Sequence, residues 1–335
     1  MRVAVDAMGG DFAPGEVVHG ALLAARADET LEVILVGQQG AIESELAKLT
    51  DVPGTISIRD AADVIGMDEH PAAAVRRKRQ SSLVICGQMV KRGEADATMS
   101  MGNTGAAMAI ATLDIGRIPG IERPAIATAL PTLRGRTLLT DAGANVDCSP
   151  TNLIQFALLG SVYAERVLGV DRPRIGLLNI GSEEGKGNEL VRATYDLLKN
   201  QPLNFIGNIE GKDVFEGAAD VVVCDGFAGN VLLKSGEGVA ELIVAMLQAE
   251  MSASPEIAAS MDVFKPILHR LLKRIDYSET GGAPLLGVNG VSFIGHGRSK
   301  AKAIASAIAA AAKAAGTGYV QAIKDALPAL HEAAK

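Results

Sequence analysis

The chain lacks the features that mark a secreted, disulfide-bonded or membrane-spanning protein. It has only three cysteines in 335 residues, and their spacing fits neither disulfides nor a metal site, so a reducing cytoplasm is expected. No apolar run reaches the roughly 18 residues that a membrane span needs. No signal-peptide pattern precedes the first predicted strand. No low-complexity linker interrupts the chain, so we expect one domain over residues 1–335.

Common catalytic signatures are also missing. The sequence has no Gly-x-Ser-x-Gly elbow and no His-Glu-x-x-His, and its five histidines have no metal-ligand spacing, so no metal or cofactor is expected. A nicotinamide dehydrogenase would carry Gly-x-Gly-x-x-Gly after the first strand, and none is present. Cys224 is the one candidate for a covalent nucleophile, although a buried structural cysteine is the commoner case. The chemistry should therefore be direct displacement.

Excess positive charge is absent as well. The formal net charge is −7, which argues against a nucleic-acid partner. The densest basic run is Arg76-Arg77-Lys78-Arg79, which is either a solvated helix face or a contact for an acidic partner or a phosphate. Val263–Ile275 alternates apolar and basic residues at helical spacing, which fits either a dimer-packing helix or a membrane-surface helix.

Short apolar runs alternate with helical patterns along the chain. The predicted strands are Val3–Val5, Val33–Val36, Ala125–Leu130, Thr137–Thr140, Ile175–Ile180 and Val221–Cys224. The predicted helices include Pro14–Ala27, Ala72–Arg92, Thr151–Gly169 and Asn188–Asn200. This alternation predicts an α/β fold, a three-layer, doubly wound and mostly parallel sheet. Residues 239–277 are expected to form a protruding helical hairpin that contacts a second copy, the membrane or both.

Glycine-rich turns follow several of these strands, where helix N-termini favour an anion. In the turn Gly181–Gly187, Lys186 can meet a phosphate as a point charge while Gly185 and Gly187 let backbone amides approach; the alternative is a turn with a solvated lysine. The turn resembles a P-loop but is one residue short and lacks the following Ser or Thr, which weakens a nucleotidase reading.

A second turn, Asp225–Asn230, offers a carboxylate, a carboxamide and two glycines. Asn230 and the backbone of Gly226 and Gly229 are expected to serve a carbonyl oxygen or a second phosphate oxygen. Asp225 orients a neighbour or only caps the helix. Asp225, Asn230 and Lys186 form the predicted catalytic group, whereas Gly226 and Gly229, like Gly185 and Gly187, are assigned to substrate and phosphate binding.

Two further turns also contain residues that are assigned to the site. Asn103 and Thr104 are expected to close the pocket from a facing element, with a purely structural turn as the alternative. Ser299, in the turn before the last long helix, is assigned to the same substrate and phosphate site.

Taken together, ordered motifs over nearly the whole chain resemble one family, the bacterial phosphate acyltransferases of the PlsX type. The motifs are Val5–Asp11, Gly102–Ala106, Asp141–Asp147, Leu177–Gly181, Gly185–Asn188, Gly207–Gly211, Cys224–Phe227, Gly229–Asn230 and Gly281–Gly287. The resemblance implies a fold similar to phosphotransacetylases and isocitrate-dehydrogenase-like enzymes. It also implies transfer of a long acyl chain from acyl carrier protein to inorganic phosphate, giving acyl phosphate for phospholipid synthesis.

The resemblance further implies a homodimer in the cytoplasm that associates peripherally with the inner face of the membrane, near a membrane glycerol-3-phosphate acyltransferase that uses the product. Acyl carrier protein is acidic, which gives the basic segments a purpose. The expected carrier-protein or membrane contacts are Arg76, Arg77, Lys78, Arg79, Ile267, Leu268, Arg270, Leu271 and Lys273.

Two other functions compete with this interpretation. A phosphotransacetylase-like enzyme would use short acyl-CoA, but the apolar hairpin favours a longer, greasier substrate. A non-catalytic membrane scaffold would show no turnover in soluble form.

Overall fold

An 11-stranded sheet forms the centre of the computed structural model, which describes residues 1–253 and 281–332. The strands are β1 (Arg2–Asp6), β2 (Glu32–Gly37), β3 (Ile56–Asp60), β4 (Ala97–Ser100), β5 (Ala125–Thr132), β6 (Gly135–Thr140), β7 (Ile175–Leu178), β8 (Phe205–Ile209), β9 (Val221–Val223), β10 (Ala283–Leu286) and β11 (Val291–Ile294). The helices are α1 (Gly15–Ala27), α2 (Gln39–Leu46), α3 (Pro71–Arg77), α4 (Ser82–Arg92), α5 (Thr104–Ile110), α6 (Pro150–Arg166), α7 (Glu189–Leu198), α8 (Gly211–Glu216), α9 (Gly226–Ala253), α10 (Ala301–Gly316) and α11 (Tyr319–Glu332). A π-helical segment, Ala111–Gly116, follows α5.

The strand order is β3-β2-β1-β4-β11-β10-β5-β6-β9-β7-β8. The first five strands are parallel to one another, and so are the last four. Between these halves lie three consecutive antiparallel pairs, β11 with β10, β10 with β5, and β5 with β6. The sheet is therefore mostly parallel, as expected, but its two parallel halves run in opposite directions.

This reversal divides the glycine turns between two edges of the sheet. The carboxyl ends of β1, β4 and β11 lie at what we call the first edge, with the turns at residues 8–11, 101–105 and 295–299. The carboxyl ends of β6, β7 and β9 lie at the second edge, with the turns at residues 141–145, 179–188 and 225–230. Ligands bind outside the carboxyl ends of strands in such folds, so each edge is a candidate for a site.

Helices cover both faces of the sheet, which gives three layers. In β1, Val3 and Val5 are buried in the core cluster that includes α1 and α10, whereas Ala4 between them is buried with Cys86 and Met89 of α4. Successive side chains of a strand point to opposite faces. The continuous apolar run of β1 is thus explained by burial on both faces.

The alanine-rich helix α10 packs against α1. A Cβ atom on Gly20 of α1 would lie 2.6 Å from Cβ of Ile304 in α10, so the small residue permits the close approach of the two helices. The N-terminus of α10 is capped from α1, because the Ala301 N–H donates to Oε2 of Glu16 at 2.7 Å. The long helix that follows the Ser299 turn thus begins two residues after Ser299.

Two predicted helices differ from those observed. The pattern Ala72–Arg92 divides into α3 and α4, because the backbone of residues 80–82 forms hydrogen bonds with the backbone of Asp63. The Asp63 N–H donates to Gln80 O at 3.1 Å, and the Asp63 carbonyl accepts from the Ser82 N–H at 3.2 Å. This backbone pairing competes with helical hydrogen bonds and ends α3 at Arg77.

The helix predicted to begin at Val239 is the second half of α9, which begins at Gly226 and continues without interruption to Ala253. The remainder of the predicted hairpin, residues 254–277, lies outside the described residues.

Candidate active site

The turn Asp225–Asn230 opens α9 at the second edge, and its polar groups bind one another. Oδ1 of Asp225 accepts from the Ala228 N–H at 2.8 Å, so Asp225 caps the helix. The Gly226 N–H donates to Asn145 O at 2.7 Å, and the Gly229 N–H donates to Asp225 O at 3.0 Å. Both glycine amides, which are expected to serve a substrate oxygen, thus already donate within the protein, and their role toward a substrate stays a prediction.

Asn230 remains available to a ligand. Its side chain is exposed and rests against the loop of residues 141–145, where a Cβ on Gly143 would lie 3.5 Å from the Asn230 Oδ1. The loop is organised by the buried carboxylate of Asp141, which follows β6 directly. Sequence reasoning noted Asp141–Asp147 only as a family motif and gave Asp141 no role.

Lys186 lies on the neighbouring loop, between β7 and α7. The loop is fixed by Asn179, whose Nδ2 donates to Lys186 O at 3.1 Å, and by Gly187, whose φ of 93° suits glycine. Asn188 caps α7 by accepting from the Val191 N–H at 2.9 Å. The Lys186 side chain is exposed, and within residues 1–253 and 281–332 no carboxylate forms an ion pair with it.

Sequence reasoning missed a second cation on this loop. Arg192, in the first turn of α7, donates from Nη1 to Gly187 O at 2.7 Å. Gly185 is exposed, and a Cβ atom there would meet nothing within 4 Å. The loop thus presents Lys186, Arg192 and an open backbone beside the N-terminus of α7, an arrangement that attracts an anion.

The sheet order brings the Lys186 loop and the Asn230 turn together. β9 lies between β6 and β7, and the register places Val223 opposite both Thr140 and Leu177. The three loops that follow these strands therefore leave the sheet at the same level. Lys186 and Asn230 lie on adjacent loops at the second edge, as one site requires.

Asn103 lies at the first edge, where its side chain has structural partners. Oδ1 accepts from the Ala106 N–H at 3.0 Å, which caps α5. Nδ2 donates to the carbonyl oxygens of Met67 at 2.9 Å and Glu69 at 3.0 Å. The side-chain oxygen and nitrogen of Asn103 thus both bind groups within the protein, as the alternative of a purely structural turn expects.

Thr104 and Ser299 also belong to the first edge. Thr104 is exposed, whereas Ser299 is buried and its N–H donates to His296 O at 3.0 Å. Because the first edge is formed by strands that run opposite to β7 and β9, the sheet does not bring these residues beside Lys186 or Asn230. The sequence could not anticipate this separation, because it depends on the direction of each half of the sheet.

Helix α9 connects the two edges. It begins beside Asn230, and its middle reaches the loop after β11, where Nε2 of His296 lies 3.6 Å from Oε1 of Glu237 and Nη2 of Arg298 lies 3.1 Å from Oε1 of Glu241. Burial lowers the pKa of His296, and the nearby Lys234 lowers it further. The helix that carries the candidate site is thus held at its start and at its middle.

The basic run at residues 76–79 forms ion pairs within the chain. Arg77 and Lys78 both bind Glu69, and the hydrogen bond from Lys78 is the main reason why the pKa of Glu69 falls to about 2. Arg79 binds both carboxylate oxygens of Asp114, at 2.6 and 3.1 Å. α3 ends at Arg77, so the run does not spread around one helix.

Arg76 differs from its three neighbours, since it is exposed and forms no ion pair with any residue that the structure describes. The other predicted contacts fall in the part of the chain outside that description. They are Ile267, Leu268, Arg270, Leu271 and Lys273.

Cys224 is buried at the end of β9, with its Sγ 3.7 Å from Asp141 O. Burial raises the pKa of its thiol well above the usual value, which disfavours the nucleophilic thiolate. The structural interpretation of Cys224 is thus the one that its surroundings support.

No single helix in residues 1–253 and 281–332 has both the length and the apolar character to cross a membrane. Helix α10 and the segment Tyr319–Leu330 of α11 pass that test only together, as a pair bent by 55°.

Comparison with known proteins gives a consistent result. The family model for the fatty acid synthesis protein matches residues 1–322. A phosphate acyltransferase of Desulfitobacterium hafniense (strain DSM 10664 / DCB-2) is 53% identical over 329 residues, which cover 98% of either chain. A phosphate acyltransferase of Moorella thermoacetica is 50% identical over 332 residues, which cover 99% of this chain and 97% of that one.

Among solved structures, a phosphotransacetylase from Streptococcus pyogenes has a TM-score of 0.63 at 18% identity, with 94% of both chains covered. This likeness concerns the fold, and it agrees with the predicted α/β architecture. The chain belongs to the fatty acid synthesis protein family, in which these close relatives are phosphate acyltransferases, and it is an acyltransferase.

Proposed function

We propose that the enzyme transfers a long-chain acyl group from acyl-acyl-carrier-protein to inorganic phosphate, releasing acyl phosphate and free carrier protein for phospholipid synthesis. The observation that carries this proposal is the position of Lys186. Its ammonium group is exposed without an ion-pair partner among the described residues, beside the N-terminus of α7 and one loop away from Asn230. A cation and a helix N-terminus together suit a phosphate.

The chemistry needs no covalent enzyme intermediate. A phosphate oxygen attacks the thioester carbonyl carbon, the C–S bond breaks, and the released thiolate takes a proton from solvent. A thiol with an ordinary pKa of about 8.5 is a good leaving group. The protein must hold phosphate within about 3 to 3.5 Å of the carbonyl carbon and stabilise the oxyanion.

Each residue then has a defined task. Lys186 neutralises the bound phosphate, and Arg192 adds to the positive field beside it. Asn230 donates from its amide to the carbonyl oxygen, where negative charge develops. Asp225 contributes indirectly, because its carboxylate caps the helix that carries Asn230.

Exposed apolar side chains near the second edge favour a long acyl chain. Val146, Ile180, Phe227 and Val231 expose 62, 82, 64 and 49% of their surface. Each belongs to one of the three loops around the candidate site or to the first turns of α9. Such a concentration suits an alkyl chain better than the short acyl group of acetyl-CoA.

The proposed partners follow from charge and exposure. Acyl carrier protein is acidic, and Arg76 is the member of the basic run whose charge is not already offset by an ion pair within the described chain. The residues Leu242, Ile243, Met246 and Leu247 of α9 are exposed. We assign this apolar surface of α9 to a homodimer or to the inner face of the membrane, where a glycerol-3-phosphate acyltransferase takes the product.

The experiment measures thiol release from palmitoyl-acyl carrier protein and from acetyl-CoA, each with and without inorganic phosphate. The proposal expects phosphate-dependent release from the carrier-protein substrate. Release from acetyl-CoA alone would instead establish the phosphotransacetylase-like alternative, and no phosphate-dependent release from either substrate would contradict the proposal.

A further inference from the structure

The carboxylate of Asp141 is fully buried and accepts five hydrogen bonds. Oδ1 accepts from the backbone N–H groups of Ile126 at 3.0 Å, Gly143 at 3.2 Å and Ala144 at 3.0 Å. Oδ2 accepts from the Asn145 N–H at 2.6 Å and from its Nδ2 at 2.9 Å. One side chain thus ties the end of β6, the start of β5 and the whole 141–145 loop together.

The same loop is the surface on which the start of α9 rests. Asn145 O accepts the N–H of Gly226, the first residue of the helix, at 2.7 Å. The carbonyl of Asp141 lies where a Cβ on residue 229 would stand, so the helix backbone passes directly over it. The Asn230 side chain lies on the open side of Gly143, where a Cβ added to that glycine would be 3.5 Å from the Asn230 Oδ1. The position of Asn230 therefore depends on the shape of this loop.

We propose that Asp141 is a positioning residue, which acts through the 141–145 loop to set the side chain of Asn230 for the acyl-transfer reaction. The inference rests on the proposed function, in which Asn230 stabilises the oxyanion. Asp141 touches neither substrate nor reacting atoms. It supplies acceptors for backbone donors that would otherwise be buried without partners.

The ionised form is required for this task. Burial raises the pKa of the Asp141 carboxyl, and the N–H donors oppose that rise because they bind the charged form. In Asp141→Asn, one oxygen becomes an NH2 group that faces N–H donors. Whichever way the amide turns, two or three of these five donors lose their acceptor, at least two of them in the loop, so the loop and the start of α9 must shift.

The kinetic test is a double-mutant cycle with Asp141→Asn and Asn230→Ala, measured as phosphate-dependent thiol release from palmitoyl-acyl carrier protein. Misplacing an oxyanion donor should lower kcat about 10- to 100-fold, with the KM for phosphate changed less than about threefold. In the Asn230→Ala background the same substitution should change kcat by less than about twofold. Equal losses of kcat in the two backgrounds would overturn the proposal, because a general loss of structure would lower kcat to the same extent whether or not residue 230 is asparagine.

A second measurement does not depend on turnover. Amide hydrogen exchange should accelerate in residues 141–148 and 226–231 of Asp141→Asn and stay unchanged in α7. Unchanged exchange at residues 226–231 would overturn the positioning role even if activity fell. If the wild type shows no phosphate-dependent turnover, the proposed function fails, while the exchange result still decides whether Asp141 positions Asn230.

Two further variants guard against misfolding. Asn145→Ala removes one of the five donors and should give a smaller kcat loss of the same kind, again absent in the Asn230→Ala background. Asp220→Asn is the matched control, because Asp220 binds Arg174 at the far end of β9. It should leave both kcat and exchange at residues 226–231 unchanged.

Discussion

The backbone carbonyl oxygen of Asp141 occupies the space that a Cβ atom on Gly229 would need. The Sγ of Cys224 would also lie only 3.0 Å from that added Cβ atom. Helix α9 therefore approaches the end of β6 so closely that only glycine fits at residue 229. The close contact brings the next residue, Asn230, to the surface of the second edge.

Replacing Gly229 with alanine should destabilise the enzyme strongly. The added methyl group meets backbone atoms, which cannot rotate away, so we expect a loss of about 3 kcal/mol or more in the free energy of unfolding. Gly238→Ala is a matched control on the same helix, since a Cβ there meets nothing within 4 Å. It should be neutral or stabilising by up to about 1 kcal/mol. Urea denaturation of both variants measures this difference. Similar stabilities of the two variants would contradict the close packing at Gly229.

The ion pairs of Glu69 predict a specific pH dependence. Its pKa falls from the ordinary 4.5 to about 2. A carboxyl with a lowered pKa stabilises the fold fully above its unfolded value and loses this effect as the pH falls through its folded value. The stability difference between wild type and Glu69→Gln should thus be constant above about pH 5 and shrink between about pH 4.5 and 2. Urea midpoints of both proteins, measured across this pH range, test the prediction. A stability difference that grows as the pH falls would contradict it.

Arg76 should contribute to recognition of the carrier protein. Arg76→Glu should raise the KM for palmitoyl-acyl carrier protein about tenfold, because it reverses a charge that no described ion pair offsets, while the Tm stays the same. Arg59→Glu, another exposed arginine, on β3, is the control and should leave the KM unchanged. If the two variants behave alike, the carrier protein binds elsewhere.

Sequence reasoning was most successful where local patterns decide the structure. The apolar run at Val3–Val5 lies in the buried strand β1, the run at Val221–Cys224 contains the buried strand β9, which ends at Val223, and the glycine turns do follow strand ends. It failed where distant parts of the chain decide. The opposite direction of the two halves depends on how β10 pairs with β5, and one of the five donors to Asp141 comes from Ile126 on β5. Neither partner is adjacent in sequence, so no local pattern predicts them.

The membrane proposal leads to a prediction about residues beyond the described part of the chain. Replacing Leu268 and Leu271 with aspartate should release the enzyme from anionic liposomes without changing soluble turnover, because a charged side chain opposes insertion into the lipid. Leu133→Asp is the control: Leu133 is 80% exposed in the β5–β6 hairpin, far from this segment in sequence. Liposome flotation of all variants measures the effect, and unchanged binding of the double variant would rule out this contact.

The central claim is that phosphate binds at Lys186 and attacks a thioester held near Asn230. The most direct measurement is phosphate-dependent thiol release from palmitoyl-acyl carrier protein by wild type, Lys186→Ala and Lys212→Ala. Lys212 is an exposed lysine at the start of α8, which follows β8 at the same edge. We expect Lys186→Ala to lower kcat/KM for phosphate at least about 100-fold and Lys212→Ala to match wild type. Wild-type turnover in Lys186→Ala would show that phosphate binds elsewhere and would contradict the account.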